Sequence, residues 1–247
     1  VFSTDFFLRE QMGKKSYLCS LNSNMLEMRN NNTIRAIVLM LCLAAGAAVE
    51  GQSVKLLFAG DLMGHMPQHN AALRQDGSYD YAPCFRYVKD YVKSADVAIV
   101  NLEVPLDGRP YSGYPQFSAP DALAACARDA GFDIMTTANN HCMDRGRHGL
   151  ERTLHALDSL GIPHLGTYID RDRREADHPM MVDACGLRVA LLCYTYGTNG
   201  IPVAEPNVVN FIDTAEMARD LRKAKEQGAD FVVTLIHWGI EYAVKAN

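Results

Sequence analysis

Residues Asp133 to Asp144 read Asp-Ile-Met-Thr-Thr-Ala-Asn-Asn-His-Cys-Met-Asp. An apolar run of strand length, Phe132 to Ala138, stops at Asn139, Asn140 and His141, and a carboxylate follows at Asp144. Amide, imidazole and carboxylate groups are donors that borderline and hard divalent metals accept, and open α/β sheets place ligand sites at the carboxyl ends of their strands. Taken alone, the stretch reads equally well as a polar turn with an Asn cap and an exposed His. Recurrence decides between the two.

Three other apolar runs end in the same way. Val54 to Ala59 runs into Gly60-Asp61, and Val97 to Val100 runs into Asn101-Leu102-Glu103. Phe231 to Ile236 runs into His237-Trp238-Gly239, with Glu241 just beyond. Each ending has a cheap structural explanation, because Gly-Asp makes turns and Asn or Asp caps helices. Parallel strands, however, would bring all four ends to one edge.

The segments between these runs are helical in period. Phe85, Val88 and Val92 recur within Cys84 to Ser94, Asp121 to Ala130 is Ala-rich, and Leu150, Leu154, Leu157 and Leu160 share one face of Gly149 to Leu160. Gly131 and Gly161 stand at C-cap positions. Alternating strands and helices predict an α/β fold with right-handed crossovers and a largely parallel sheet. Pro179 to Ala184 and Leu187 to Thr195 flank Cys185-Gly186 and predict a hairpin at a sheet edge, and Thr214 to Gln227 is a further helix.

A length of 247 residues with 48% hydrophobic residues suits one large α/β domain or two small ones. A net charge of −5 offers no basic field, so nucleic acid is not an expected partner. Residues 1–27 lack periodicity and read as a spurious upstream extension. Met28-Arg29-Asn30 then leads into the apolar stretch Ala36 to Val49 with an Ala-x-Ala site at Ala45 to Ala47, so 28–47 reads as a secretory signal peptide. An uncleaved anchor or a buried helix is the alternative, although spanning a bilayer takes roughly 20 residues. The expected product, 48–247, is exported to the periplasm or cell envelope.

Cleavage near Ala47 removes five of 24 basic and three of 29 acidic residues and leaves a charge of −7. Five cysteines then remain, Cys84, Cys126, Cys142, Cys185 and Cys193, and an odd number without a Cys-x-x-Cys pair argues against a disulfide framework or structural zinc. Cys126 and Cys193 fall within apolar patterns and are expected to pack as small hydrophobes. Cys142, beside His141, is the one placed to touch the site.

Gly60-Asp61, Asn101-Leu102-Glu103 with Pro105-Leu106, Ala138 to His141 followed by Asp144 and Gly146, and His237-Trp238-Gly239 with Glu241 resemble the bacterial capsule-synthesis proteins of the CapA type, associated with poly-γ-glutamate. The likeness runs from about Val54 to the end of the chain. That family in turn resembles the calcineurin-like metallophosphoesterases, α/β/β/α sandwiches that hold two divalent metals (Mn, Fe, Zn or Mg) at strand ends. The resemblance implies that Asp61 binds the first metal, that Glu103 replaces the bridging aspartate, and that Asn140 and His237 bind the second. It implies that His141 acts as the acid, with Asp144 in the catalytic group, and Asn101, Asn139 and Glu241 complete the candidate site.

The sequence also departs from that pattern. The Asp-x-His of the phosphoesterases is here Asp61-Leu62-Met63, whose thioether is a poor ligand for hard metals, leaving His65 or His69 as substitutes. No Gly-His-x-His segment stands between His237 and Asn247, so the sandwich is expected to be incomplete at its C-terminal end and this chain inactive as it stands.

Two functions fit these residues. One is a metal-dependent hydrolase of a phosphoester or an amide in envelope polymer metabolism. The other is a non-catalytic component that binds or exports an anionic polymer alongside other capsule-synthesis proteins at the membrane. Polyanion contact would fall to clusters such as Arg145 to His148 and Arg171 to Arg174, which as surface charge are more often merely solvated.

Overall fold

The computed structural model describes residues 53–240. The upstream extension at 1–27, the signal at 28–47 and Glu241 lie outside the described residues.

Four strands make the first sheet, in the order β1 (Leu56–Leu62), β2 (Val97–Leu102), β3 (Ile134–Thr136) and β4 (His164–Leu165), all parallel. Between β1 and β2 run three short helices, α1 (Met66–Ala72), α2 (Ala82–Phe85) and α3 (Lys89–Val92). The crossover from β2 to β3 carries α4 (Ala122–Ala130), and that from β3 to β4 carries α5 (Gly146–Ser159). The single helix expected over Cys84 to Ser94 is therefore two separate turns, although Phe85 and Val92 do face the core. Gly131 caps α4 at φ 113°, a backbone region that a side chain at Cβ disfavours.

The chain then pairs β5 (Thr167–Tyr168) with β8 (Val208–Val209) and places α6 (Arg171–Asp177) after β5. The hairpin forms where the sequence places it, with β6 (Met180–Ala184) and β7 (Leu187–Thr195) joined through Cys185 and Gly186, both at positive φ. It founds a second sheet instead of extending the first. Helix α7 (Thr214–Glu226), N-capped by the Asp213 carboxylate, crosses from β7 to β9 (Phe231–His237), which pairs parallel with β7. The strand delivering His237 thus belongs to the order β6-β7-β9, contrary to the expectation of one sheet. A β-helix-β crossover has the same local pattern whichever sheet it joins, and here the hairpin supplies the neighbour.

Strand alternation divides the core into layers. Ala98, Val100 and Met135 pack with Leu123, Ala127 and Leu157 of α4 and α5, whereas Val97, Ile99 and Ile134 on the other face pack with Val189, Leu191 and Cys193 of β7. The far face of β7, Ala190, Leu192 and Tyr194, meets Ala224 and Met217 of α7. Helix, sheet, sheet and helix follow in that order, which is the α/β/β/α arrangement. Each fully buried Leu or Met in these layers contributes about 1.5–3 kcal/mol of transfer free energy. No helix among the described residues is long and apolar enough to cross a membrane.

Candidate metal centre

The two sheets direct their carboxyl ends to one region. In β1 the chain advances three residues from Phe58 to Asp61 while β2 advances two, from Ile99 to Asn101. This β-bulge reverses the alternation and re-aims Asp61, a common device beside functional sites. Glu103 is the first residue after β2 and is buried, with its backbone N–H donated to Leu62. His237 closes β9 beside Thr195, the last residue of β7.

Asp61, Glu103 and His237 each offer one donor atom, and these atoms lie within 4.8 Å of one another. Nδ1 of His237 is 3.7 Å from Asp61 Oδ1, and Nε2 is 3.6 Å from Glu103 Oε1. Asn140 joins them, its Oδ1 lying 3.0 Å from His237 Nε2. Burial lowers the pKa of His237 and outweighs the opposing pull of the Asp61 carboxylate, so the imidazole is held toward its neutral, ligating form. Two carboxylates, an imidazole and an amide oxygen form a donor set that fits a hard or borderline divalent cation.

Asn101 and Asn139 serve this cluster as braces. Asn101 Nδ2 donates to Asp61 Oδ1 at 2.8 Å, and its Oδ1 accepts from Thr136 Oγ1 and Asn139 Nδ2 at 3.1 Å each. Asn139 is fully buried; it donates to the Leu102 carbonyl at 2.8 Å and accepts from the His141 backbone N–H at 3.1 Å. The two amides thereby tie the ends of β1 and β2 to the loop after β3.

His141 lies on that loop with Nδ1 2.8 Å from Asp144 Oδ2. The same carboxylate oxygen accepts the Phe117 N–H at 2.8 Å. A carboxylate in this position requires the proton on Nδ1, so the neutral ring presents Nε2 as its free nitrogen. Asp144 is buried beneath His141 and reaches the site through it. The Phe117 ring stands edge-on to His141 at 4.8 Å and to His65 at 4.9 Å.

The proposed substitutes for the missing Asp-x-His ligand separate clearly. Met63 packs against the helix-side core. His69 is buried, with Nδ1 2.6 Å from the Tyr81 hydroxyl, which removes it from the ligand set. His65 is exposed against Phe117. Burial pushes the Cys142 thiol up to about 12, so it stays protonated, while Cys193 is buried and Cys126 packs against the core as small hydrophobes do. The basic clusters are engaged in the fold: Arg145 bonds the Phe117 carbonyl and Ser112, Arg147 pairs with Glu151, and Arg174 is buried on Asp220.

Residues outside the predicted set also shape the site. Phe117 arrives on a loop with no periodicity to announce it. Tyr196 stacks on the His237 ring at 6.0 Å, and Asn199 bonds Asn140. The only sequence signal near either is Asn199-Gly200, a dipeptide that marks a tight turn.

A two-sheet sandwich flanked by helices, with amide, imidazole and carboxylate donors gathered at its strand ends, defines a metallophosphoesterase-like α/β protein. Residues 55–247 match the family described as "Bacterial capsule synthesis protein PGA_cap", and the chain belongs to that family of CapA-type capsule-synthesis proteins. It is 26% identical over 209 residues to "Capsule biosynthesis protein CapA" of Bacillus anthracis, covering 80% of this chain and 49% of that protein. It is likewise 26% identical over 203 residues to "PGA biosynthesis protein CapA" of Bacillus subtilis strain 168, covering 75% and 49%. An uncharacterized protein of Sinorhizobium fredii, y4sH, is 33% identical over 119 residues, covering 44% of this chain and 25% of its own length. The chain spans about half the length of the two CapA relatives.

Proposed function

We propose that this chain carries the metal-dependent hydrolytic site of an exported capsule-synthesis protein, acting on a phosphoester or amide in the metabolism of an anionic envelope polymer such as poly-γ-glutamate. The observation that carries the proposal is the convergence of Asp61, Glu103 and His237 donor atoms within 4.8 Å, with Asn140 Oδ1 beside them. Family membership supports the capsule role, and the names of the Bacillus relatives support the polymer. The reading of 28–47 as a signal supports export to the cell envelope.

Asp61, Glu103, Asn140 and His237 would hold divalent metal, one ion or a pair. Such ions, when bound, polarise a phosphoryl or carbonyl oxygen and lower the pKa of coordinated water toward neutrality. The two carboxylates offset the positive charge. Asn101 keeps Asp61 turned toward the cluster, and Asn139 fixes the loop that presents Asn140 and His141. His141, its Nδ1–H donating a hydrogen bond to Asp144, accepts or delivers a proton at Nε2, where a leaving oxygen would take it. Phe117 shields one side of that ring from water.

The second reading, a binding or export component without hydrolysis, is favoured by one observation. The position of the usual second ligand of the first strand is Met63, and it is turned into the core. The two are separated by assaying the manganese-loaded protein on bis(p-nitrophenyl) phosphate beside pull-down on poly-γ-glutamate. Turnover that falls away in the Asn140→Ala and His237→Ala variants supports hydrolysis. Polymer capture with no turnover supports binding.

A further inference from the structure

Asn140 presents a particular problem of orientation. A side-chain amide has one oxygen and one NH₂ group, and only the oxygen can ligate a cation. The Oδ1 atom faces His237 Nε2 at 3.0 Å, and the Nδ2 atom donates to Asn199 Oδ1 at 3.2 Å. If the Asn140 amide turned over, its oxygen would meet the Asn199 oxygen and its NH₂ would point into the donor cluster. We infer that Asn199 is the positioning residue of this centre, holding the Asn140 amide with its oxygen turned toward the cluster.

The loop after β7 is built to put Asn199 there. Thr195 ends β7 opposite His237, and the Tyr196 N–H donates to the His237 carbonyl at 3.0 Å, so the chain leaves the second sheet beside the centre. Thr198 to Ile201 then closes a turn, with the Ile201 N–H donated to the Thr198 carbonyl at 3.0 Å and the Thr198 hydroxyl to the Ile201 carbonyl at 2.7 Å. Asn199 and Gly200 occupy its centre at φ 52° and 76°. This is the geometry of a type I′ turn, which Gly would fill at the Asn199 position with less strain. The side chain that stands there instead spans to the loop after β3, where its Oδ1 accepts from Asn140 Nδ2.

The inference rests on the metal-centre reading above and predicts a coupling between two residues. Asn199→Gly preserves the turn and removes only the amide. In calorimetric titrations of the full chain with Mn²⁺, Asn199→Gly should weaken binding by roughly tenfold, as loss of an outer partner of a ligand does. Its metal-free melting temperature should match that of the wild type. In an Asn140→Ala background the second substitution should change Mn²⁺ affinity no further. Unchanged affinity in Asn199→Gly, with Asn140→Ala weakened, overturns the inference and leaves the metal centre standing. An equal loss in both backgrounds, or a fall in metal-free melting large enough to account for the loss, also overturns it. A wild type that binds no Mn²⁺ overturns the metal centre and this inference with it, whereas an Asn140→Ala variant that binds as well as the wild type removes Asn140 from the ligands and overturns this inference alone.

Discussion

His237 Nε2 lies 3.0 Å from Asn140 Oδ1, although 97 residues separate the two and one ends a strand of the second sheet while the other follows a strand of the first. Sheet-on-sheet packing is what closes that gap. The apolar layer of Val97, Ile99, Ile134, Val189 and Leu191 sets the sheets together, and strand direction then places both carboxyl ends at one rim. If metal bridges this contact, losing either side weakens binding. Glu103→Ala, Asn140→Ala and His237→Ala should each lower metal content at least about tenfold in metal analysis after desalting.

His141 and Asp144 should separate from the ligands. His141→Ala is expected to lose roughly 10² to 10⁴ in turnover on the aryl phosphate while keeping its metal. Asp144→Asn should also lose turnover with metal retained, because its position is beneath the ring. Loss of metal in either variant would make His141 a ligand.

Asn139 is a test of the bracing. Its buried amide joins Leu102, Asn101 and the His141 backbone, and Asn139→Ala leaves those partners unsatisfied at about 1–3 kcal/mol each. Thermal melting should fall by several degrees even without metal. An unchanged melting temperature would show that water replaces the amide at no cost.

Gly166 couples the fold to the same loop. It sits at φ 118°, and a Cβ there would meet the Ala138 nitrogen at 2.6 Å. Gly166→Ala should lower both melting temperature and Mn²⁺ affinity, since Ala138 leads directly into Asn139 and Asn140. A variant that loses stability but binds Mn²⁺ as the wild type does would show that the loop is held independently.

Acid should destabilise the protein through the buried cluster between α6, α7 and β7. Burial lowers the pKa of His178, and the Arg174 and Lys223 charges add to it against the pull of Asp220. For Asp220, burial works upward, but hydrogen bonds from His178, Arg174 and Tyr194 and the Arg174 charge outweigh it and hold the carboxyl well below its usual range. Both groups bind fewer protons folded than unfolded, so stability must fall with pH, beginning below the ordinary 6.5 of His178 and continuing below the ordinary 3.8 of Asp220. Urea unfolding at pH 7.5 and pH 5 checks the first part, which His178→Gln should flatten. Asp220→Asn removes the buried carboxylate partner of Arg174, which keeps Glu175 at 3.4 Å and Glu216 at 3.7 Å, and should cost about 3 kcal/mol, the low end for a broken buried pair.

The strand ends were legible because all four strands carry apolar runs, in β2 and β3 because both faces are buried and in β9 even though Val232 and Ile236 are exposed, and the polar residues at or near their ends stand out. Asp61, Glu103, Asn140 and His237 could all be named that way. The assignment of β9 to a second sheet was not legible, since packing against β7 leaves no mark on Phe231 to His237 that packing in the first sheet would not also leave. His69 looked available because nothing local shows that Tyr81 binds it. Phe117 and Asn199 act across long sequence separations, and only the fold reveals their partners.

Whether Asp61, Glu103, Asn140 and His237 hold divalent metal is tested most directly by crystals soaked in Mn²⁺ and measured near the manganese absorption edge. An anomalous peak bounded by the two carboxylates, the Asn140 oxygen and the His237 imidazole is the predicted result. Density for those side chains without an anomalous peak among them, at a Mn²⁺ concentration that loads other sites, would contradict it.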